Sequence, residues 1–166
     1  SNPFCLDVMY QDFSHPTNTG SITVLITNLP SGEYDLAVYG TRASGPGAPS
    51  FELKRGGTSL GKKGTTIWGN GWFSGAWDEG EQFVRFRNIT VTNQTLQLIC
   101  YPDSSGYASL SGVQIVPTGS LPSDQSAITR LMNVDVGVYT TNKIGAAAVG
   151  LGAQDFWNVY VHGGAY

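Results

Sequence analysis

The residues of this 166-residue chain that could do chemistry are few, and their spacing limits what they could do. His15 and His162 are the two histidines, and they lie in separate segments with no cysteine or carboxylate cluster at metal-ligand spacing beside them. Neither stands near a serine or cysteine in a nucleophile motif, so a catalytic triad has nothing to rest on. Asp78, Glu79 and Glu81 form an acidic cluster. Glycoside hydrolysis needs two carboxyl groups across a cleft at a defined separation, which a sequence-adjacent set seldom supplies. The cluster reads instead as a turn leading into the next strand. Asp7, Asp12 and Asp103 could help bind calcium, but no regular ligand loop holds them. The chain is therefore expected to be no enzyme, with no catalytic residues, no metal and no cofactor.

Binding chemistry is better represented. Trp68 precedes a glycine-rich stretch, GNGWFSGAWDEG, that holds Trp72, Phe73 and Trp77. Aromatic rings on a rigid loop can stack on sugar rings, which makes Trp68, Trp72 and Trp77 the carbohydrate-binding candidates. The plainer expectation is that these rings cap a core or pack against a neighbouring subunit. Asn88 and Asn93 each open a glycosylation sequon, NIT and NQT, although sequons also arise by chance in threonine-rich chains. Cys5 and Cys100 both sit in strand-like contexts, PFCLDV and LQLICYP. A disulfide between them would close a loop of about 95 residues and contribute roughly 4–5 kcal/mol in the chain-entropy model. The alternative is two buried thiols.

The elements that must position these residues are strands. Charged residues make up 13% of the chain and aromatic residues 11%, with 22 glycines and 8 prolines. Low charge with abundant Gly, Thr, Ser, Val and Tyr fits a loop-rich all-β protein outside the cell, where disulfides persist. The chain is too apolar for disorder. A net charge of −3 without a basic stripe argues against nucleic acid. No apolar run approaches the roughly 20 residues of a membrane helix.

Period-2 alternation dominates. Residues 21–28 (SITVLITN) alternate Ile22, Val24 and Ile26 with Thr23, Leu25 and Thr27. Leu29, Pro30, Ser31 and Gly32 read as a turn, and residues 33–39 (EYDLAVY) as the hairpin partner, with Tyr34, Leu36 and Val38 on one face. Further strands are expected at 51–54, 65–68, 82–91, 95–101 and 108–116, with 82–91 and 95–101 forming a hairpin through Thr92, Asn93 and Gln94. No stretch shows an amphipathic helical period, so an antiparallel β-sandwich of jelly-roll or Ig-like type is expected over residues 1–116.

Residues 117–130 read as a linker, and residues 131–166 as a β-rich extension. Met132, Val134, Val136 and Val138 alternate with Asn133, Asp135 and Gly137, the pattern of a half-buried strand. A small, apolar run, IGAAAVGLG, follows, and then FWNVYV, with Phe156, Trp157 and Tyr160. Left exposed, such a segment would be an aggregation hazard. The chain opens on SNPFCLDVMY, already running toward a strand, and closes on what reads as the start of another module.

The runs TNLPSGEYDLAVYG, WDEGEQFVRF and SGVQIV resemble secreted β-sandwich modules of bacterial surface proteins, uncharacterised and likened to carbohydrate-binding folds. In those modules a strand like MNVDV, a Gly/Ala run and a DFWN motif come first; here they come last. The resemblance assigns no catalytic residues. The permuted order leaves three arrangements: the extension completes its own body, the chain is a piece of a tandem array, or each subunit places its extension in the next by strand addition. The last makes a head-to-tail polymer of identical subunits, outside the cell or at its surface, with Met132, Val134, Val136, Val138, Phe156, Trp157 and Tyr160 as contact residues. The competing expectation is a monomeric carbohydrate-binding module with glycan partners.

Overall fold

β-branched and aromatic residues at alternate positions pair into strands where each can bury one face. The computed structural model describes residues 20–40, 48–66, 77–104, 106–118, 132–137, 143, 145, 147–150 and 155–161. Nine strands run through them: β1 (Ile22–Ile26), β2 (Gly32–Tyr39), β3 (Ser50–Arg55), β4 (Thr58–Gly64), β5 (Phe83–Val91), β6 (Leu96–Tyr101), β7 (Gly112–Pro117), β8 (Met132–Gly137) and β9 (Asn158–Val161). They form a four-stranded sheet in the order β1-β6-β3-β4 and a five-stranded sheet in the order β5-β2-β7-β8-β9. All neighbours are antiparallel except β8 and β9, which run parallel. The architecture is an all-β sandwich, as the alternation predicts.

The main core lies between the sheets. Leu36 and Val38 of β2, Val84 and Phe86 of β5, and Val113 and Ile115 of β7 meet Phe51 and Leu53 of β3 and Leu96, Leu98 and Cys100 of β6. Each fully buried side chain of this size contributes about 1.5–3 kcal/mol of transfer free energy. Gly40, just past β2, is a close-approach position: a Cβ there would sit 2.2 Å from the Ser109 carbonyl oxygen and 2.8 Å from the Phe51 ring. Gly56 and Gly57, with φ of 54° and 86°, supply the left-handed turn that joins β3 to β4.

Strand pairing departs from the expected hairpins. β1 pairs with β6 rather than β2, and β2 lies in the other sheet between β5 and β7. β5 and β6 are likewise split between sheets. Both turns carry the chain across the sandwich, because each strand buries its apolar face against the opposite sheet rather than beside its sequence neighbour. β4 was not legible in its sequence, TSLGKKG; pairing with β3 makes it a strand. Thr65 and Thr66, in the expected 65–68 strand, lie outside any strand, and residues 67 and 68 lie outside the described residues. β2 is buried on both faces from Tyr34 to Tyr39, not on one.

Cys100 carries a free, buried thiol rather than one half of the disulfide expected with Cys5, which lies outside the described residues. Its thiol donates to the Ser109 carbonyl at 3.2 Å. Burial pushes this thiol from its ordinary 9.0 up to about 12. A raised folded pKa stabilises the fold below the unfolded value and loses that contribution as pH rises through the folded one. Stability is thus expected to fall by up to about 4 kcal/mol across that alkaline window through this group. Denaturant titrations at pH values on either side of the window check this. Cys100→Ala should flatten the alkaline limb; an equally steep limb in the variant would contradict the assignment.

Candidate functional site

The residues with most chemistry to offer lie where residues 132–161 meet the rest of the chain. The seat begins as a main-chain ladder. β8 pairs with the β7 edge, with Gly112 opposite Asp135, Val113 opposite Val134, Gln114 opposite Asn133 and Ile115 opposite Met132. The ladder continues past the strand ends, since the Val136 amide donates to the Ser111 carbonyl and the Ser111 amide to the Tyr39 carbonyl, each at 2.9 Å. Val136 is buried in the main core and Val134 packs partly buried against it. Here the alternation read from sequence is at work.

The opposite face of β8 holds a feature that sequence reasoning missed. Asn133 and Asp135 are each only 2% exposed, less than Met132 at 44%. That face, taken for a solvated one, instead meets Lys143, Val149 and Phe156. The Tyr39 hydroxyl donates to Gln114 Oε1 and accepts from the Ala148 amide at 3.0 Å. Gln114 Nε2 donates to Asn133 Oδ1 at 2.8 Å and to the Val149 carbonyl at 2.9 Å. Asn133 Nδ2 donates to the Phe156 carbonyl at 2.9 Å, and Asn158 Nδ2 to the Asn133 carbonyl at 3.1 Å. Asp135 Oδ2 accepts the Lys143 amide at 3.0 Å. Buried amides of this kind must be paired to be tolerated, and the pairing favours one docking geometry. The available signal was Gln114 within GVQIV and Asn133 within MNVDV: amides in otherwise apolar strands.

Trp157 closes the seat. It is fully buried, its Nε1–H donates to the Gly145 carbonyl at 2.8 Å, and the Lys143 ammonium lies 5.5 Å from its ring centroid. It joins Ala37, Tyr39 and Phe83 in a second cluster on the outer face of the five-stranded sheet. Tyr39 meets Trp157 edge-on at 6.3 Å and stacks on Phe83 at 5.6 Å.

The expected contact residues therefore divide. Val136 and Trp157 are buried and Val134 is half-buried, whereas Met132, Phe156 and Tyr160 are exposed. Val138 lies outside the described residues. Of the aromatic loop, Trp68, Trp72 and Phe73 also lie outside them, and Trp77 is half-buried against Tyr39, with centroids 5.1 Å apart, and Phe83. Trp77 is a packing residue. Asn88 and Asn93 are both exposed and both have positive φ, 55° and 56°.

Glu79, from the acidic cluster, receives both terminal nitrogens of Arg87, lies 3.7 Å from the Lys63 ammonium and accepts the Arg85 amide at 3.2 Å. The Arg87 hydrogen bond, before other causes, holds its carboxyl below the usual 4.5. It is a structural ion pair. His15, His162, Asp7 and Asp12 lie outside the described residues, and Asp103 Oδ1 accepts the Tyr107 amide at 3.2 Å in a turn. No group of three His, Cys, Asp or Glu side chains converges among the described residues. None of the described residues forms a helix long and apolar enough to cross a membrane, which says nothing of β-barrels.

Fold and seat define an all-β sandwich whose five-stranded sheet is covered and extended by its own C-terminal segment. No family model matches the chain, and no curated protein does. Among solved structures it is similar to the dimeric latent PorU from Porphyromonas gingivalis, with a TM-score of 0.33 and 14% identity, over 59% of this chain and 10% of that one. The chain spans about a tenth of that protein's length.

Proposed function

We propose that this chain is the structural subunit of an extracellular filament, polymerising head to tail by seating its C-terminal segment, residues 131–166, on a neighbouring copy. The observation that carries the reading is how the segment is attached. Its described residues dock through the β7 ladder, the Tyr39–Gln114–Asn133 network and Trp157. Yet residues 118–131 join it to β7 where an antiparallel neighbour needs only about 2–5 residues. Extended, that connection of 14 residues spans up to about 46–50 Å, and a body of this size is about 35 Å across. The same contacts that close the segment on its own body are therefore within reach of the next body. Made in trans, the contact is heterologous, so it repeats without closing and builds a fibre. Exchange of an identical element leaves the contact energies unchanged and costs little beyond association.

The resemblance to secreted bacterial surface modules, and the paucity of charge, support a place outside the cell. Exposed Asn88 and Asn93 fit glycans on a fibre surface, and intact mass of the native protein reads their modification. The glycan-binding alternative rests on Trp68 and Trp72 alone, since the Trp77 ring is engaged in packing.

Deleting residues 131–166 is expected to leave a less stable body that sediments as a monomer, with the β7 edge and the Tyr39–Phe83 cluster uncovered. Sedimentation velocity on the deletion variant is the test. A truncated chain that stays fully polymeric would rule out the segment as the link.

A further inference from the structure

Among the described strands, β5 ends the five-stranded sheet on the side away from β8. In an antiparallel pair every second residue turns its main-chain N–H and C=O away from the neighbour. On β5 these residues include Phe83 and Arg85, opposite Tyr39 and Ala37. Their outward groups are already bonded. The Phe83 carbonyl accepts the Gly80 amide at 2.8 Å. The Arg85 amide donates to Glu79 Oε1 at 3.2 Å, and the Arg85 carbonyl accepts from Lys63 Nζ. Further along, the Thr90 carbonyl accepts from Arg55 Nη1.

The groups that hold this edge come from two directions. Glu79 and Gly80 lie in the turn before β5, where the Glu81 and Gln82 amides donate to the Asp78 carbonyl at 3.1 and 3.2 Å. Arg87 fixes the Glu79 carboxylate with both terminal nitrogens, and the Lys63 ammonium stands 3.7 Å from it. Lys63 and Arg55 reach over from the other sheet, from β4 and the end of β3. Successive side chains of a strand point to opposite faces, so the two lysines of β4 part. Lys62 lies over the Tyr101 ring, 4.0 Å from its centroid, and Lys63 crosses to β5.

We infer that Glu79, Lys63 and Arg55 form a lock that denies the β5 edge to a further strand. An added strand pairs through the outward N–H and C=O groups, and charged side chains bonded to them must be displaced first. Pairing at Arg85 would release Glu79 from its amide and Lys63 from its carbonyl. On the other side of the sheet the main-chain groups of β7 bond to β8. The sheet is thus extended by strands on its β7 side and sealed by side chains at β5. The lock is the same whether residues 131–166 dock in cis or in trans. In the proposed fibre it would keep neighbouring fibres from joining edge to edge.

Thr90, exposed on β5, carries the probe for the test. The full chain with Thr90→p-benzoylphenylalanine is photolysed as an equal mixture of 14N- and 15N-labelled molecules, and mixed-label adducts from position 90 are counted by mass spectrometry. Adding Glu79→Ala and Lys63→Met removes both holders of Arg85 and is expected to make these adducts about tenfold or more frequent. Glu79→Gln with Lys63→Arg, which keeps an acceptor and a donor, should raise them far less. Equal frequencies with and without Glu79→Ala and Lys63→Met, or as large a rise in the conservative pair, would overturn the inference. A polymer through residues 131–166 adds the same background to all three chains, so its presence or absence is read separately. Hydrogen exchange of the unsubstituted chain gives a second reading that needs no variant. The outward Arg85 amide should exchange about tenfold or more slowly than a freely exposed amide. Exchange at the exposed rate would also overturn the lock.

Discussion

Trp157→Ala is expected to destabilise the chain by about 3–5 kcal/mol and to loosen the C-terminal segment from its seat. The ring is fully buried, and it is the piece of the segment that reaches deepest into the outer cluster with Tyr39 and Phe83. Truncation would leave a cavity in that cluster and an unpaired carbonyl at Gly145. β8 would keep its ladder on β7, so the loss should be uneven. Hydrogen exchange should rise first at residues 143–157 and in β9, and only later in β6 and β3. Trp157→Phe, which keeps an aromatic ring but not the indole N–H, should cost less, about 1–3 kcal/mol. Denaturant titration measures both. A loss under about 1 kcal/mol for the alanine variant would show that the second cluster does not hold the segment.

The second large effect belongs to Asp35, away from the seat. The register of β2 against β5 slips between Tyr34 and Leu36, leaving an extra residue on β5. Asp35 holds that bulge. One carboxylate oxygen accepts the Asn88 amide at 2.8 Å, and the other receives Arg85 Nε at 3.0 Å and a terminal Arg85 nitrogen at 2.8 Å. Asn88 sits at φ 55°, a conformation that asparagine tolerates better than most residues. Asp35→Ala removes the acceptor for a part-buried amide and strands a guanidinium that is only partly in water. We expect a loss of about 2–4 kcal/mol. Asp35→Asn should recover part of it, because an amide oxygen still caps the Asn88 amide. Equal losses for the two variants would place the whole effect on the charge and none on the bulge.

Both sites show where the sequence was legible. Period-2 alternation located β1, β2, β5, β6, β7 and β8 to within a residue or a few, because each packs one apolar row into the shared core. The same alternation cannot say which sheet a strand joins. Leu29, Pro30, Ser31 and Gly32 would serve a hairpin or a crossover equally well, and the pairing of β1 with β6 rather than with β2 makes it a crossover. β4 was missed because TSLGKKG carries a single large apolar residue. The polar row of β8 was misassigned for a related reason. Asn133 and Asp135 alternate as solvent-facing residues do, and nothing within β8 announces that Lys143 and Phe156 return to meet them. Trp157, expected as a contact residue from its β-prone, aromatic surroundings, is buried within its own chain's outer cluster, whereas Phe156 and Tyr160, from the same run, are exposed.

Exchange of residues 131–166 between copies is the central claim, and electron microscopy of the purified full-length chain tests it most directly. Uniform thin fibres, with an axial repeat of about one body, some 35 Å, are the predicted result. Monodisperse single particles the size of one chain, at concentrations where the fibres should form, would mean that the segment closes on its own body and that this protein is not a filament subunit.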